Sequence, residues 1–230
     1  MFGSPHRHFR LTDSTNSRAR EMAEAGAPRG TVVTADEQSE GRGRQGRTWT
    51  APAGGALLYS AILRPLDERH LLLPLAVPIA VAEAVEALQP GLACRIKWPN
   101  DIWVEERKLA GILIEARPQH GWAVIGVGLN LAIAPDEFPP ELRETATSLD
   151  GVDAAEARRA LDSALEAWVE ADGADVLGRW RERDALIGRE VRWEEGSGVA
   201  DGVDDRGCLV VVTPGGDRVA LGAGEVHLRL

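Results

Sequence analysis

Three arginines and three glycines fall within the nine residues Gly41-Arg-Gly-Arg-Gln-Gly-Arg-Thr-Trp49, just after the strand-like run Thr31-Val-Val-Thr-Ala-Asp-Glu37. Arg42, Arg44 and Arg47 bring charge-assisted donors, and the glycines let the backbone approach a ligand, so this stretch offers to clamp a phosphate or a carboxylate. Ordering such a loop costs about 1–2 kcal/mol per residue, and before Trp49 it has no large apolar side chain to offset that. Charge-assisted bonds to an anionic ligand, each about 1.5–3 kcal/mol, supply the difference. Gly41, Gly43 and Gly46 also spell G-x-G-x-x-G. The dinucleotide fingerprint needs a helix opening inside the glycines and an acidic residue ending a strand about 20 positions on; Arg47-Thr-Trp-Thr-Ala-Pro-Ala-Gly-Gly55 breaks any helix, and no acidic residue ends a strand at that distance. A solvated Arg/Gly loop, or an RG-type segment touching RNA non-specifically, is an equal alternative on this stretch alone.

The scarce residues point elsewhere in the chain. The 26 basic residues include only two lysines, Lys97 and Lys108, and the asparagines are Asn16, Asn100 and Asn130. Where a chain avoids a residue type, its few occurrences are the ones chemistry requires. Asp13-Ser-Thr-Asn-Ser17 precedes a helical run and gathers short hydroxyl and amide groups, Ser14, Thr15 and Asn16, at the positive end of a helix, which suits N-capping or a polar ligand head group.

A net charge of −10 and a pI near 5.1 disfavour extended nucleic-acid binding, so the anion served by the arginine loop is small. Cys94 and Cys208 match no metal or redox spacing and read as buried free thiols. The N-terminus has no apolar signal region, and Leu71–Val85, the most apolar run, is too short to span a bilayer. The expectation is a cytoplasmic protein with no membrane partner.

The elements that must position these residues follow from periodicity and turn signals. Strands are expected at residues 8–12, from Thr31, at Ala56–Leu63, Cys94–Trp98, Ile102–Glu105, Lys108–Ala116 and Trp122–Leu131, the later ones as an antiparallel meander. Helices are expected at Arg18–Ala25, Leu71–Leu88, Ala154–Ala171 and Ala174–Leu186, with Trp168 and Trp180 in the core. A Pro-rich acidic loop covers 132–149, and five short strands after Ile187 imply a small β-barrel. The fold class is α+β: a mixed, largely antiparallel sheet with helices over residues 1–186, and a small barrel over 187–230.

Taken in order, Asp13-Ser-Thr-Asn16, Gln38, the arginine loop, Lys97-Trp-Pro-Asn-Asp101, Arg107-Lys-Leu-Ala-Gly-Ile-Leu-Ile-Glu115, Gly126-Val-Gly-Leu-Asn130, Ala146-Thr-Ser148 and Gly224-Glu-Val-His-Leu-Arg229 resemble the biotin protein ligases. The resemblance runs from about residue 9 to the end. It implies a class II synthetase-like catalytic domain followed by an SH3-like barrel. It further implies that ATP with Mg²⁺ activates biotin to biotinyl-5′-AMP, and that biotin then passes to a lysine of a biotin carboxyl carrier domain.

Carried onto this chain, the resemblance makes Lys108, Arg44 and Asp101 the catalytic group. Lys108 bridges the biotin carboxylate and the α-phosphate, a task for a compact point charge. Arg42, Arg44 and Arg47 close over the carboxylate and phosphates, and Asp101 orients Mg²⁺ or helps to deprotonate the acceptor lysine. Gln38, Ser14 and Thr15 match the donors and acceptor of the ureido ring, with Asn16 and Gly41 beside them. Trp49, Leu113, Gly111, Gly126 and Gly128 wall the apolar slot, and Asn130 contacts ribose or phosphate. No role follows for Lys97 or Asn100, and no metal ligand is assigned.

Gln45 stands where many members carry a basic residue. Since the motifs begin at Asp13, no DNA-reading module is expected before them. The exposed sheet edges make a carrier or a second protomer, hence a homodimer, possible docking partners. A lipoate or octanoate ligase, or a non-enzymatic nucleotide- or RNA-binding regulator, is the alternative.

Overall fold

The computed structural model describes residues 1–222 and 227–228. The chain opens with β1 (His6–Thr12), α1 (Thr15–Glu24) and β2 (Val32–Gln38), in which β1 and β2 pair in parallel. Next come β3 (Ala56–Leu63), α2 (Leu73–Leu88), β4 (Arg95–Lys97), β5 (Asp101–Val104), β6 (Arg107–Arg117) and β7 (Trp122–Asn130). These strands form one seven-stranded sheet in the order β1-β2-β3-β7-β6-β5-β4. Every pairing but β1 with β2 is antiparallel, so the expected α+β class with a mixed, largely antiparallel sheet holds.

The continuous apolar run of β3 is buried at all eight positions because both faces of the sheet are covered. Val32, Leu57, Tyr59, Ala61 and Leu63 join the large core beneath α2 and α3 (Ala154–Trp168). Val33, Ile62 and Val124 turn the other way and meet Ala19 and Ala23 of α1. That second face changes character along the strands. Ile62 and Val124 are bulky under α1, whereas the next positions on the same face are Ser60 with Gly126, then Leu58 with Gly128, paired across β3 and β7. On β6, Leu113 lies opposite Gly126, and Gly111 opposite Gly128. The small residues leave a trough beyond the N-terminal end of α1.

α3 and α4 (Gly173–Arg183) start at Asp153 and Asp172, whose carboxylates accept from the first-turn amides, caps that the periodicity reading did not identify. α3 stops at Trp168 and α2 begins at Leu73, leaving Leu71 74% exposed. Trp180 is fully buried, whereas Trp168 is half-buried and donates from Nε1 to Glu83 (2.7 Å). Cys94 is buried as expected, and burial pushes its thiol up to about 12; Cys208 is only partly buried.

Beyond α4, β8 (Glu190–Trp193), β9 (Gly196–Val203), β10 (Leu209–Val212), β11 (Arg218–Leu221) and β12 (His227–Leu228) form a five-stranded antiparallel sheet in the order β11-β10-β9-β8-β12. It shares a continuous hydrophobic core with the first sheet, and Trp98 donates from Nε1 to the carbonyl of Gly207 (3.1 Å). Of the closing motif Gly224–Arg229, only His227 and Leu228 lie within the described residues.

Candidate active site

The trough is a cavity of about 230 Å³ whose lining includes the arginine loop, the head of α1, the glycines of β6 and β7, Lys108 and Asn130. Sequence segments separated by more than a hundred residues therefore converge there, among them Ser14, Thr15, Asn16, Gln38, Arg42, Arg44, Arg47, Trp49, Leu113 and Asn130. Asp101 lies beside this set, tied to Lys108, and Gly41 lies against Gln38, its missing Cβ falling 2.9 Å from Gln38 Nε2.

Lys108 reaches the cavity through an irregularity. Alternation along a strand would put residues 108 and 111 on opposite faces, but the β5–β6 register shifts between Ile102 and Trp103, and the resulting bulge re-aims the side chain. A Cβ on Gly111 would lie 3.2 Å from both Cε and Nζ of Lys108. Leu109 and Ala110, between them, are completely buried. The ammonium sits 2.7 Å from Asp101 Oδ1, off the axis of a hydrogen bond, and 5.7 Å from the ring centre of Trp49. Lys108 also pairs by both backbone groups with Thr145 and Thr147, so the segment around Ala146 forms a further edge of the cavity rather than a free loop. Asn130 fixes the same segment by donating from Nδ2 to the Thr147 carbonyl (2.9 Å).

The arginine loop is a short hairpin. Trp49 donates its amide to the Gly41 carbonyl (3.0 Å) and Gly43 to that of Arg47 (2.7 Å), and the tip turns at Gln45 and Gly46, both at positive φ. The expectation that the loop lacks order of its own is revised by these bonds and by its apolar anchor. The Trp49 indole lies flat on the glycines: a Cβ on Gly128 would come within 2.3 Å of it, and one on Gly111 within 2.9 Å. Trp49 Nε1 is buried without a hydrogen-bond partner among the described residues, the kind of donor that a ligand completes. Arg42 reaches across to Glu115 of β6 (3.1 Å).

The head of α1 and the end of β2 bring a polar cluster to the same cavity. Asp13 is clamped by Arg18 through both carboxylate oxygens and accepts from the Ser14 amide, and these bonds, led by that from Arg18, hold its carboxyl far below the usual range. Ser14 takes the N-cap position of α1 without a capping bond from its own side chain. Thr15 donates its amide to Gln38 Oε1 (2.7 Å). Asn16 donates from Nδ2 to Glu115 (2.9 Å) and towards the Leu113 carbonyl (3.3 Å). It fills the space that a side chain at Gly126 would need.

The sequence reading did not single out Ser60 and gave Glu115 no role. Ser60 stands in the sequence as the one small polar residue of an apolar strand, and Glu115 as the charge closing a hydrophobic run. Asn100 lines the cavity and donates from Nδ2 to the Ile112 carbonyl (2.8 Å), and Lys97 lies over Trp103 at 5.3 Å. Among the described residues, no cluster of three or more His, Cys, Asp or Glu could hold a metal, and no helix is long and apolar enough to cross a membrane.

Residues 8–130 match the biotin/lipoate A/B protein ligase family profile. Over 242 aligned positions, covering 95% of this chain and 87% of its relative, the chain is 37% identical to the biotin–[acetyl-CoA-carboxylase] ligase of Mycobacterium tuberculosis. It is 41% identical over 145 residues to the bifunctional ligase/repressor BirA of Bacillus spizizenii, but that match spans only 44% of the relative's length. The structure of the Aquifex aeolicus biotin protein ligase, in complex with biotin and ATP, superimposes with a TM-score of 0.80 at 29% identity, covering 98% of this chain and 99% of the other. The fold, the cavity at the loop-covered glycine trough and these matches agree: the chain belongs to the biotin/lipoate A/B protein ligase family.

Proposed function

We propose that this chain is a biotin protein ligase, and that the trough is where it makes and holds biotinyl-5′-AMP. The observation that carries this reading is that one cavity brings together neutral polar side chains (Ser14, Thr15, Asn16 and Gln38), the glycine slot under Trp49, Lys108 and the arginines of the hairpin. A bicyclic ureido ring fits the first, the apolar ring and valeryl chain fit the Trp49–glycine slot, and the carboxylate then meets the cations.

In the first step a biotin carboxylate oxygen attacks the α-phosphorus of ATP, the bond to the β-phosphate oxygen breaks, and pyrophosphate leaves. Two anions must meet, and a preorganised cation at the point of contact supplies stabilisation worth about 10²–10³-fold in rate. Lys108 is that cation, and Asp101 aims its ammonium. Arg44 and Arg47 line the same cavity and extend the positive field over the phosphates, while Arg42 is latched to Glu115. Mg²⁺ travels on the triphosphate: Asp101, the carboxylate beside the trough, is already paired with Lys108, so phosphate oxygens and water would ligate the metal. In the second step the amine of a carrier lysine attacks the acyl carbon, a proton is lost from nitrogen, and AMP departs. Asp101, beside Lys108, is the carboxylate we assign as base for that proton.

The carrier domain of a biotin-dependent carboxylase is the acceptor in this reading, and the edge of β1 is open to a carrier or a second copy. Residues 1–186 form the catalytic unit, and β8–β12, at about the right size, close as an SH3-like barrel. The cytosol, where ATP and thiol-bearing chains coexist, is the compartment. The experiment that tests the function is biotin-dependent exchange of labelled pyrophosphate into ATP, with lipoate in a parallel reaction. Exchange with lipoate and none with biotin would overturn the biotin assignment.

A further inference from the structure

Ser60 lies at the centre of β3 with no exposed surface, and its hydroxyl touches two residues at the head of α1: Asn16 Oδ1 at 2.6 Å and Thr15 Oγ1 at 2.8 Å. One proton cannot serve both contacts, and the surroundings decide where it goes. The Asn16 amide cannot be reversed, because its nitrogen faces Glu115 and the Leu113 carbonyl, both acceptors. Its oxygen therefore faces Ser60 and carries no proton, so Ser60 must donate to Asn16. The contact between the two hydroxyls then needs a proton from Thr15. The Thr15 hydroxyl lies 3.0 Å from Gln38 Oε1 as well, but that oxygen already receives the Thr15 amide at 2.7 Å. Either direction leaves one oxygen pair without a proton: turned to Gln38, it is the Thr15–Ser60 pair at 2.8 Å; turned to Ser60, it is the longer Thr15–Gln38 pair at 3.0 Å, whose Gln38 oxygen is already satisfied by the amide, so the proton goes to Ser60.

We infer that Ser60 is a specificity-determining positioning residue: by drawing the Thr15 proton inward it leaves only lone pairs of Thr15 facing the cavity, so this end of the site demands an N–H donor from its ligand. The relay runs from Thr15 to Ser60 to Asn16 and ends on Glu115, which also holds Arg42 of the hairpin. Gln38 is set in the opposite sense. Its oxygen is engaged by Thr15, so its Nε2 group, beside Gly41, is the part that can meet a carbonyl. A cyclic urea has both, a carbonyl flanked by N–H groups, whereas a ring with oxygen in the place of the N–H aimed at Thr15 sets lone pair against lone pair. This inference rests on the biotin reading of the trough and names the residue that sets its polarity.

The test compares wild type with Ser60→Ala, Thr15→Val and the double variant, measuring biotin affinity by calorimetry and steady-state constants by pyrophosphate exchange. Ser60→Ala should raise the biotin Kd and KM about tenfold while kcat and the KM for ATP stay within twofold. In the Thr15→Val background the same change should add less than twofold, since the group through which Ser60 acts is gone. Wild type should also reject one of the two cyclic carbamates, in which a ring oxygen replaces a ureido N–H, about a hundredfold. Ser60→Ala should narrow that margin towards tenfold, because the Thr15 hydroxyl is then free to turn and donate. Equal biotin affinity in Ser60→Ala and wild type, full multiplication of the two single effects, or an unchanged carbamate margin would each overturn the assignment. If Ser60→Ala does not fold, Ser60→Cys, with a weaker donor of similar shape, should show a smaller rise in biotin KM; a wild-type KM there would count against the relay. Wild type that binds no biotin would instead overturn the functional reading itself, an outcome distinct from these.

Discussion

Lys108 carries its charge on a strand whose next two residues, Leu109 and Ala110, are wholly buried, so the ammonium cannot drift far from where the bulge aims it. That constraint separates lysine from arginine. Lys108→Ala should lower pyrophosphate exchange by about 10²–10³-fold, the effect of losing one preorganised charge. Lys108→Arg should recover little, because a planar guanidinium cannot occupy the gap between Asp101, Trp49 and Gly111 that a single ammonium fills. Near-normal exchange in the arginine variant would remove Lys108 from the reaction centre. On the proposed function, Arg44 is expected to bear on retention rather than synthesis. Biotinyl-AMP is a mixed anhydride that must be kept dry, and loss of one charge-assisted pair worth about 1.5–3 kcal/mol speeds escape about ten- to a hundredfold. Arg44→Gly should still form the adenylate but biotinylate an unrelated lysine-rich protein. Bystander labelling at the wild-type level, with synthesis intact, would place retention elsewhere. Lys108 and the asparagines of the trough were legible because they are scarce types in this chain, and its arginines, glycines and short hydroxyls because they fall in ordered motifs. Ser60 was not, since one hydroxyl in a buried strand looks the same whether it bonds to its own backbone or positions a site. The approach of Lys108 to Gly111 could not be read either, because a two-residue period puts them on opposite faces.

The hairpin that carries Arg42, Arg44 and Arg47 works as an element through its two anchors, the Arg42–Glu115 pair and the Trp49 indole seated on Gly111 and Gly128. The surface pair contributes little by itself. The indole is the stronger anchor, and it depends on the absence of a side chain beneath it. Gly128→Ala would drive a methyl group into the ring, at a distance of 2.3 Å, and such overpacking costs about 1–3 kcal/mol unless the ring moves away. The ring is at the end of a loop, so it should move. Gly128→Ala should therefore be cut faster by trypsin at Arg42, Arg44 or Arg47 than wild type, while its melting temperature changes little. Cleavage at the wild-type rate would mean that Trp49 does not hold the hairpin. In wild type, biotin with Mg-ATP should slow cleavage at these arginines, because ligand anions add the bonds that the free loop lacks. At this scale the strands and helices were readable to within a few residues, as alternation and helical spacing mark their buried faces. The hairpin was not: composition indicates the cost of ordering a glycine-rich loop, but not that its ends close across Gly41 and Trp49 or that an apolar anchor lands on glycine.

Across the whole molecule a net charge of −10 surrounds a trough lined with cations, so the field favours small anions that can enter over long polyanions. The two sheets are joined by a packed seam. α4 ends at Arg183, Asp184 bridges to Ile96 of β4, and Ala185 donates to the Ile96 carbonyl (2.9 Å) before the chain enters the second sheet. A change of texture near residue 187 was legible in the sequence, but the seam was not, because a parallel bridge of one or two residues leaves no periodic trace. Asp184 is buried within it and accepts the Leu186 amide through Oδ1 (2.8 Å). Burial raises its pKa above the ordinary value, against the smaller opposing pull of the Leu186 and Ile187 amides and of Arg95. The folded state therefore keeps this proton to a higher pH than the unfolded chain, whose carboxyl titrates near about 3.9. Stability from this group is fully present below the unfolded pKa and is lost as the pH rises through the folded one. Asn in its place keeps the acceptor for Leu186 but never ionises. The melting temperature of Asp184→Asn minus that of wild type should consequently be more positive at pH 8 than at pH 4. Contributions from carboxylates held low, such as Asp13, are common to both proteins and cancel in that difference. Melting curves at the two pH values check the sign: a difference that stays constant, or that is larger in acid, would mean that the seam does not bury a charge at neutral pH.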